Sequence, residues 1–159
     1  MRYIYVLIMK NALEIKDKLY QACLLFTEKK YHTVISIIES NKKAMFSETK
    51  SSAGDKHEIG RAMLQLEMEK ASQQLVVITE MKSILDKISI EKKSDNTCLG
   101  SLIVTTKASY FLAISAGKIT IKNNDYYAVS TNSPIGKQLL GKSIGDSIPF
   151  NKAEISAIY

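Results

Sequence analysis

The 159-residue chain carries 45% hydrophobic side chains, which is enough for a packed core and excludes a disordered polymer. Its formal charge of +6 is spread along the chain without a basic block, so no nucleic-acid-binding tail or groove is marked, and the mild positive balance suits an acidic or nucleic-acid-rich partner no better than it suits solubility. Cys23 and Cys98 lie far apart without CxxC or Cys/His spacing, which argues against a zinc motif or a disulfide framework and leaves reduced, cytoplasmic thiols.

The start, Met1-Arg2-Tyr3-Ile4-Tyr5-Val6-Leu7-Ile8, is apolar but too short to span a bilayer, and it lacks the small-residue cleavage pattern of a signal peptide. Met9-Lys10-Asn11 reads like a second start, and residues 1–9 are expected to be an extension without a role in the fold. From about Leu13 to Lys50 neither proline nor glycine interrupts the chain. Apolar residues at Leu19, Ala22, Cys23, Phe26, Val34, Ile38 and Met45, with charges between them, form a helix pattern. Its weak place is the polar run Thr27-Glu28-Lys29-Lys30-Tyr31-His32-Thr33, where a kink or break is expected if the helix has one.

The polar stretch Ser51-Ser52-Ala53-Gly54-Asp55-Lys56-His57-Glu58 separates this run from a second. There Leu64, Met68, Ala71, Leu75, Ile78, Leu85 and Ile88 recur at four- and three-residue steps, the seam of a coiled coil. Two helices joined by a short loop pack as an antiparallel hairpin, here residues 10–90, and Met63, Met68 and Met81 are expected to pack inside it. At 1.5 Å per residue the run from Ile59 to Ser89 reaches on the order of 45 Å, a length suited to presenting a tip. Asp55 and Glu58 stand at that tip. Two carboxylates three apart can share a cation, and equally Asp55 can cap the second helix with Glu58 at its third position, a capping box without chemistry.

After the polar linker Glu91-Lys92-Lys93-Ser94-Asp95-Asn96 the period changes to alternation. Leu102–Thr105, Tyr110–Ile114, Lys118–Ile121, Tyr126–Val129 and Glu154–Tyr159 read as short strands, with Gly117 and Asn123-Asn124-Asp125 supplying turns. Ser133 to Gly141 reads as one short helix, with a capping serine, proline at the first helical position and a closing glycine. The expected fold class is therefore α+β: an amino-terminal helical hairpin, then an antiparallel β domain with one helix over residues 97–159.

Ser133-Pro134-Ile135-Gly136-Lys137-Gln138-Leu139-Leu140-Gly141-Lys142-Ser143-Ile144-Gly145-Asp146 closely resembles the SPxGxxLLGKxxGD signature of the bacterial Gre transcript-cleavage factors. It falls where that family places it, in a small β-rich domain that follows a helical hairpin. The resemblance is strong over residues 100–159 and weaker over the arm. Read physically, the string is fold-specifying: Ser133 caps, Leu139 and Leu140 bury the helix on the sheet, Gly141 ends it, and Gly145-Asp146 turns the chain into Ser147-Ile148-Pro149-Phe150. The domain resembles the FKBP-like fold, a likeness that carries no isomerase activity by itself.

The resemblance implies a protein that docks near the secondary channel of bacterial RNA polymerase and passes its arm down it. The tip acids then help to hold a second Mg²⁺ at the polymerase active site, where the 3′ end of backtracked RNA is cleaved. Asp55 and Glu58 match the acids of the family's GDxxE pattern, as an assisting pair and not as an enzyme of their own. The implied protein binds no cofactor alone, shares Mg²⁺ only with the polymerase, is cytoplasmic, and has neither a membrane partner nor a small-molecule substrate. Lys56, His57 and Arg61 depart from the family's more acidic tip and are candidates for RNA or polymerase contact. This departure keeps two alternatives open: a channel-binding regulator that does not cleave, and, from another class, an adaptor or chaperone-like module that grips a protein with its hairpin.

Overall fold

The computed structural model describes residues 2–50 and 54–159. Two long helices, α1 (Arg2–Lys50) and α2 (Asp55–Asp86), precede β1 (Leu102–Thr105), β2 (Ser109–Ala113), β3 (Gly117–Ile121), β4 (Asn124–Ser130), α3 (Pro134–Leu139), β5 (Ser147–Ile148) and β6 (Ala153–Ile158). The class is α+β. The connection at residues 51–53 lies outside the described residues. No helix among the described residues is long and apolar enough to cross a membrane. Contacts divide the chain into two compact units, residues 27–82 and residues 1–26 with 83–159.

The unit of residues 27–82 is a two-helix coiled coil. Val34, Ala71 and Ile78 are buried at its centre, with Tyr31, Ile38 and Leu75 packed against them. On α2 the covered positions Leu64, Met68, Ala71, Leu75 and Ile78 keep the four-and-three step read from the sequence. On α1 they are Thr27, Tyr31, Val34, Ile38, Asn41 and Met45, which alternate in steps of four and three residues in the same way. The break considered at residues 27–33 is therefore absent: α1 runs through them, because Thr27 and Tyr31 occupy the seam and the charged residues face outward. Lys82 Nζ lies 4.0 Å from the centroid of the Tyr31 ring, a cation–π contact in the same seam. Met63, expected inside the hairpin, is 62% exposed, because residue 63 falls one position outside the series on which Leu64 lies.

The other unit is built on a six-stranded sheet ordered β3-β4-β2-β1-β6-β5. Its core joins Ile103, Tyr110, Leu112, Leu139, Ile148, Ala153 and Ile155, so α3 is fastened to the sheet through Leu139. The expected antiparallel sheet needs one correction, since β2 and β4 pair in parallel, with Ser109 opposite Tyr126 and Ala113 opposite Ser130. β3 runs back against β4 as a hairpin at the sheet edge. β4 is thereby set between β3 and β2 in the direction of β2. Alternation of side chains reveals strands but not this order.

Within the same unit, α1 begins upstream of the apolar pattern and includes residues 2–9. Leu19, Cys23 and Leu85 are fully buried, and the Tyr20 hydroxyl donates to the Leu85 carbonyl at 3.2 Å. Burial pushes the Cys23 thiol up to about 11, so it serves as a small apolar side chain. Glu14 pairs with Lys18 at 2.9 Å and with Lys122 of the β3–β4 turn at 3.0 Å, which ties α1 to that turn. These lysines hold the exposed Glu14 carboxyl below the usual carboxylate range.

Candidate functional site

The first backbone hydrogen bonds of α2 run from His57 N–H and Glu58 N–H to the Gly54 carbonyl, at 2.9 and 3.4 Å. Gly54 therefore occupies the cap position, and α2 starts with Asp55 as its first residue. This corrects the capping-box alternative by one residue: Asp55 is inside the helix, and Glu58 is fourth rather than third. Glycine is a tolerated cap, and no side chain at that position has to supply the acceptor. Both acids consequently belong to the first turn, where the positive end of the helix favours carboxylates by about 0.3–1 kcal/mol each. Positions three apart are neighbours on a helix surface.

Glu58, Lys56 and Arg61 are exposed and His57 is half-buried, while the side chain of Asp55 lies outside the described residues, as does that of Lys50. The structure therefore brings all five candidate residues onto the first two turns of α2. Lys42 and Lys43 on α1 are exposed, as a solvated face would be. Among the described residues no three His, Cys, Asp or Glu side chains are grouped to hold a metal ion. The donors fit Mg²⁺ in kind, being hard carboxylate oxygens, but two of them on the positive end of a helix need ligands from another molecule to retain it.

Sequence reasoning did not read the apolar residues next to this turn as a surface, and it expected Met63 inside the hairpin. Ile59, Met63 and Leu66 on α2 and Phe46 on α1 are all more than half exposed. The signal was present in the sequence as a second four-and-three series, Ile59, Met63, Leu66, beside the seam series.

The signature segment has quite different surroundings. The Ser133 hydroxyl accepts from Gly136 N–H at 3.1 Å and donates to the Ser130 carbonyl at 2.6 Å, so it caps α3 and fastens it to the end of β4. A Cβ on Gly136 would lie 1.8 Å from the Ser130 carbonyl oxygen, so only glycine fits there. At the other end of α3 the buried Thr97 hydroxyl donates to the Leu139 carbonyl at 2.5 Å and accepts from Lys142 N–H at 2.8 Å. Gly141 N–H donates to the Thr97 carbonyl at 2.8 Å, with Gly141 at a φ of 75° that favours glycine. Asp146 accepts from Ser143 N–H at 2.8 Å, and its own carbonyl accepts from Ile155 N–H at 2.9 Å. Each of these groups is engaged in holding the fold, which agrees with reading the string as structural, except that Leu140, expected to bury with Leu139, ends the helix in an extended conformation and is 45% exposed. Thr97 was not legible as part of it, because its partners lie more than forty residues away.

No protein-family model matches the chain, and no curated protein is similar enough to match it.

Proposed function

We propose that this protein is a Gre-like transcription elongation factor that enters the secondary channel of RNA polymerase and stimulates Mg²⁺-dependent cleavage of backtracked RNA. The observation that carries this reading is the placing of the acid pair. Asp55 and Glu58 open the second helix of a hairpin, directly after the connection, in a chain whose following β domain is organised by the Ser133–Asp146 segment. An acid pair in that place has little to do for the fold, since the Gly54 carbonyl starts the helix without it.

In this reading Asp55 and Glu58 lend carboxylate oxygens to an ion whose other ligands belong to the polymerase. With Mg²⁺ held there by Asp55, Glu58 and the polymerase, the shared site would supply a more acidic bound water and positive charge for the leaving oxygen. The residues of this chain orient and retain, and the polymerase remains the enzyme. Lys56 and Arg61, both exposed, supply positive charge toward RNA phosphates or polymerase acids. These same cations favour a second reading, a channel-binding regulator that does not cleave, because positive charge beside the acids weakens cation retention.

The test is a stalled, backtracked elongation complex with a 3′-labelled transcript, to which the purified full chain is added with Mg²⁺. The expected result is release of a short 3′ fragment that Asp55→Ala and Glu58→Ala abolish while polymerase binding persists. Binding without a fragment selects the non-cleaving regulator. Failure to bind rejects both channel readings in favour of a hairpin that grips another protein.

A further inference from the structure

The unit formed by residues 1–26 and 83–159 holds a cavity of about 430 Å³ between the first part of α1, the turn after α2 and the end of β6. That volume falls within the range of about 300–1,000 Å³ found for small-molecule sites. Met9, Leu13, Ile90 and Tyr159 give it apolar walls. These walls are anchored. Tyr159 exchanges two 2.9 Å backbone hydrogen bonds with Leu102, and the turn after α2 rests on the domain so closely that a Cβ on Gly100 would stand 3.0 Å from Ile88 Cγ2.

Lys16 lines this cavity and is only 3% exposed. None of the ion pairs among the described residues includes it. Burial holds its ammonium below the usual lysine range, and only the charge of Cys98 opposes that effect. The Lys16 side chain is covered almost throughout, so an anion that reaches its ammonium from the cavity meets a charge little screened by water. Around it the cavity is lined by three exposed lysines, Lys10, Lys92 and Lys93, against the single acid Glu91. Apolar walls, a buried cation and a cationic rim complement a molecule with an apolar body and an anionic head.

We propose that this cavity binds a monomeric amphipathic carboxylate, with its tail against Met9, Leu13, Ile90 and Tyr159 and its carboxylate on Lys16 Nζ. The proposal is independent of the function assigned to the hairpin tip. It uses the apolar walls for affinity and the lysine for selection, since a neutral molecule of the same shape gains nothing from the lysine's charge.

Decanoate below its micelle concentration is the probe, titrated into the full ¹⁵N-labelled chain and followed by amide chemical shifts. Saturable shifts at Ala12, Lys16, Ile90 and Tyr159 are expected. Lys16→Met should weaken decanoate by about tenfold or more while leaving the binding of 1-decanol unchanged. Leu13→Trp, which fills the cavity from its partly exposed side and leaves Lys16 in place, should block both probes. Lack of saturable shifts in the wild type, equal decanoate binding by Lys16→Met, or a response only to vesicles of anionic lipid would each overturn the proposal.

Discussion

The Ser133–Asp146 segment and the first turn of α2 both attract attention in the sequence, yet they are built in opposite ways. In the segment around α3, Ser133, Gly136, Gly141 and Asp146 are each committed, by a close approach, a positive φ or a hydrogen bond, to joining α3 to β4, β6 and Thr97. In the first two turns of α2 the cap is a backbone carbonyl, and Lys56, Glu58 and Arg61 are exposed. The string that carries the family resemblance is therefore the part least free to do chemistry. The start of α2, by contrast, leaves Glu58 exposed to solvent.

Substitutions sharpen that contrast. Gly136→Ala should have the largest effect, destabilising the protein by about 3 kcal/mol or more in a denaturant titration, because the new Cβ meets a backbone oxygen that cannot withdraw without moving β4. Thr97→Val should cost about 2 kcal/mol in the same titration, since it keeps the shape but leaves Lys142 N–H and the Leu139 carbonyl without this buried partner. Ser133→Ala, the loss of one N-cap, should lower stability by about 1 kcal/mol. Glu58→Ala should lie at the bottom of the scale, with a loss of about 0.3–1 kcal/mol from the helix end. A cost for Glu58→Ala comparable to that of Thr97→Val would break the comparison and return the tip acids to a structural role.

Much of the fold was legible because the buried residues are apolar and periodic. Leu64, Met68, Ala71, Leu75 and Ile78 mark the seam of α2 in the sequence as they do in the structure. The seam of α1 was harder to follow, because Thr27 and Asn41 are polar residues in buried places, and a polar residue in a helix reads as an outward one. Lys16 was missed for the same reason, and its role depends on the turn after α2 and Tyr159, which no local pattern connects to it. The helix α3 could be read with both its ends, whereas the need for glycine at residue 136 comes from a carbonyl brought in by β4. Strand positions followed from alternation, but the parallel β2–β4 pair depends on β4 entering between its predecessors.

At the candidate site the sequence located both acids but misplaced the helix start by one residue. The capping-box spacing was compatible with the string, yet the hydrogen bonds choose Gly54 as the acceptor. This small shift matters, because it removes from Asp55 the capping task that competed with a functional one.

The most direct test of that claim is the fragment released from a backtracked elongation complex, compared between wild type, Asp55→Ala and Glu58→Ala at equal polymerase occupancy. The account predicts a short 3′ fragment with the wild type in Mg²⁺ and none with either variant, all three retaining the fold. Cleavage that persists undiminished in both variants would contradict it.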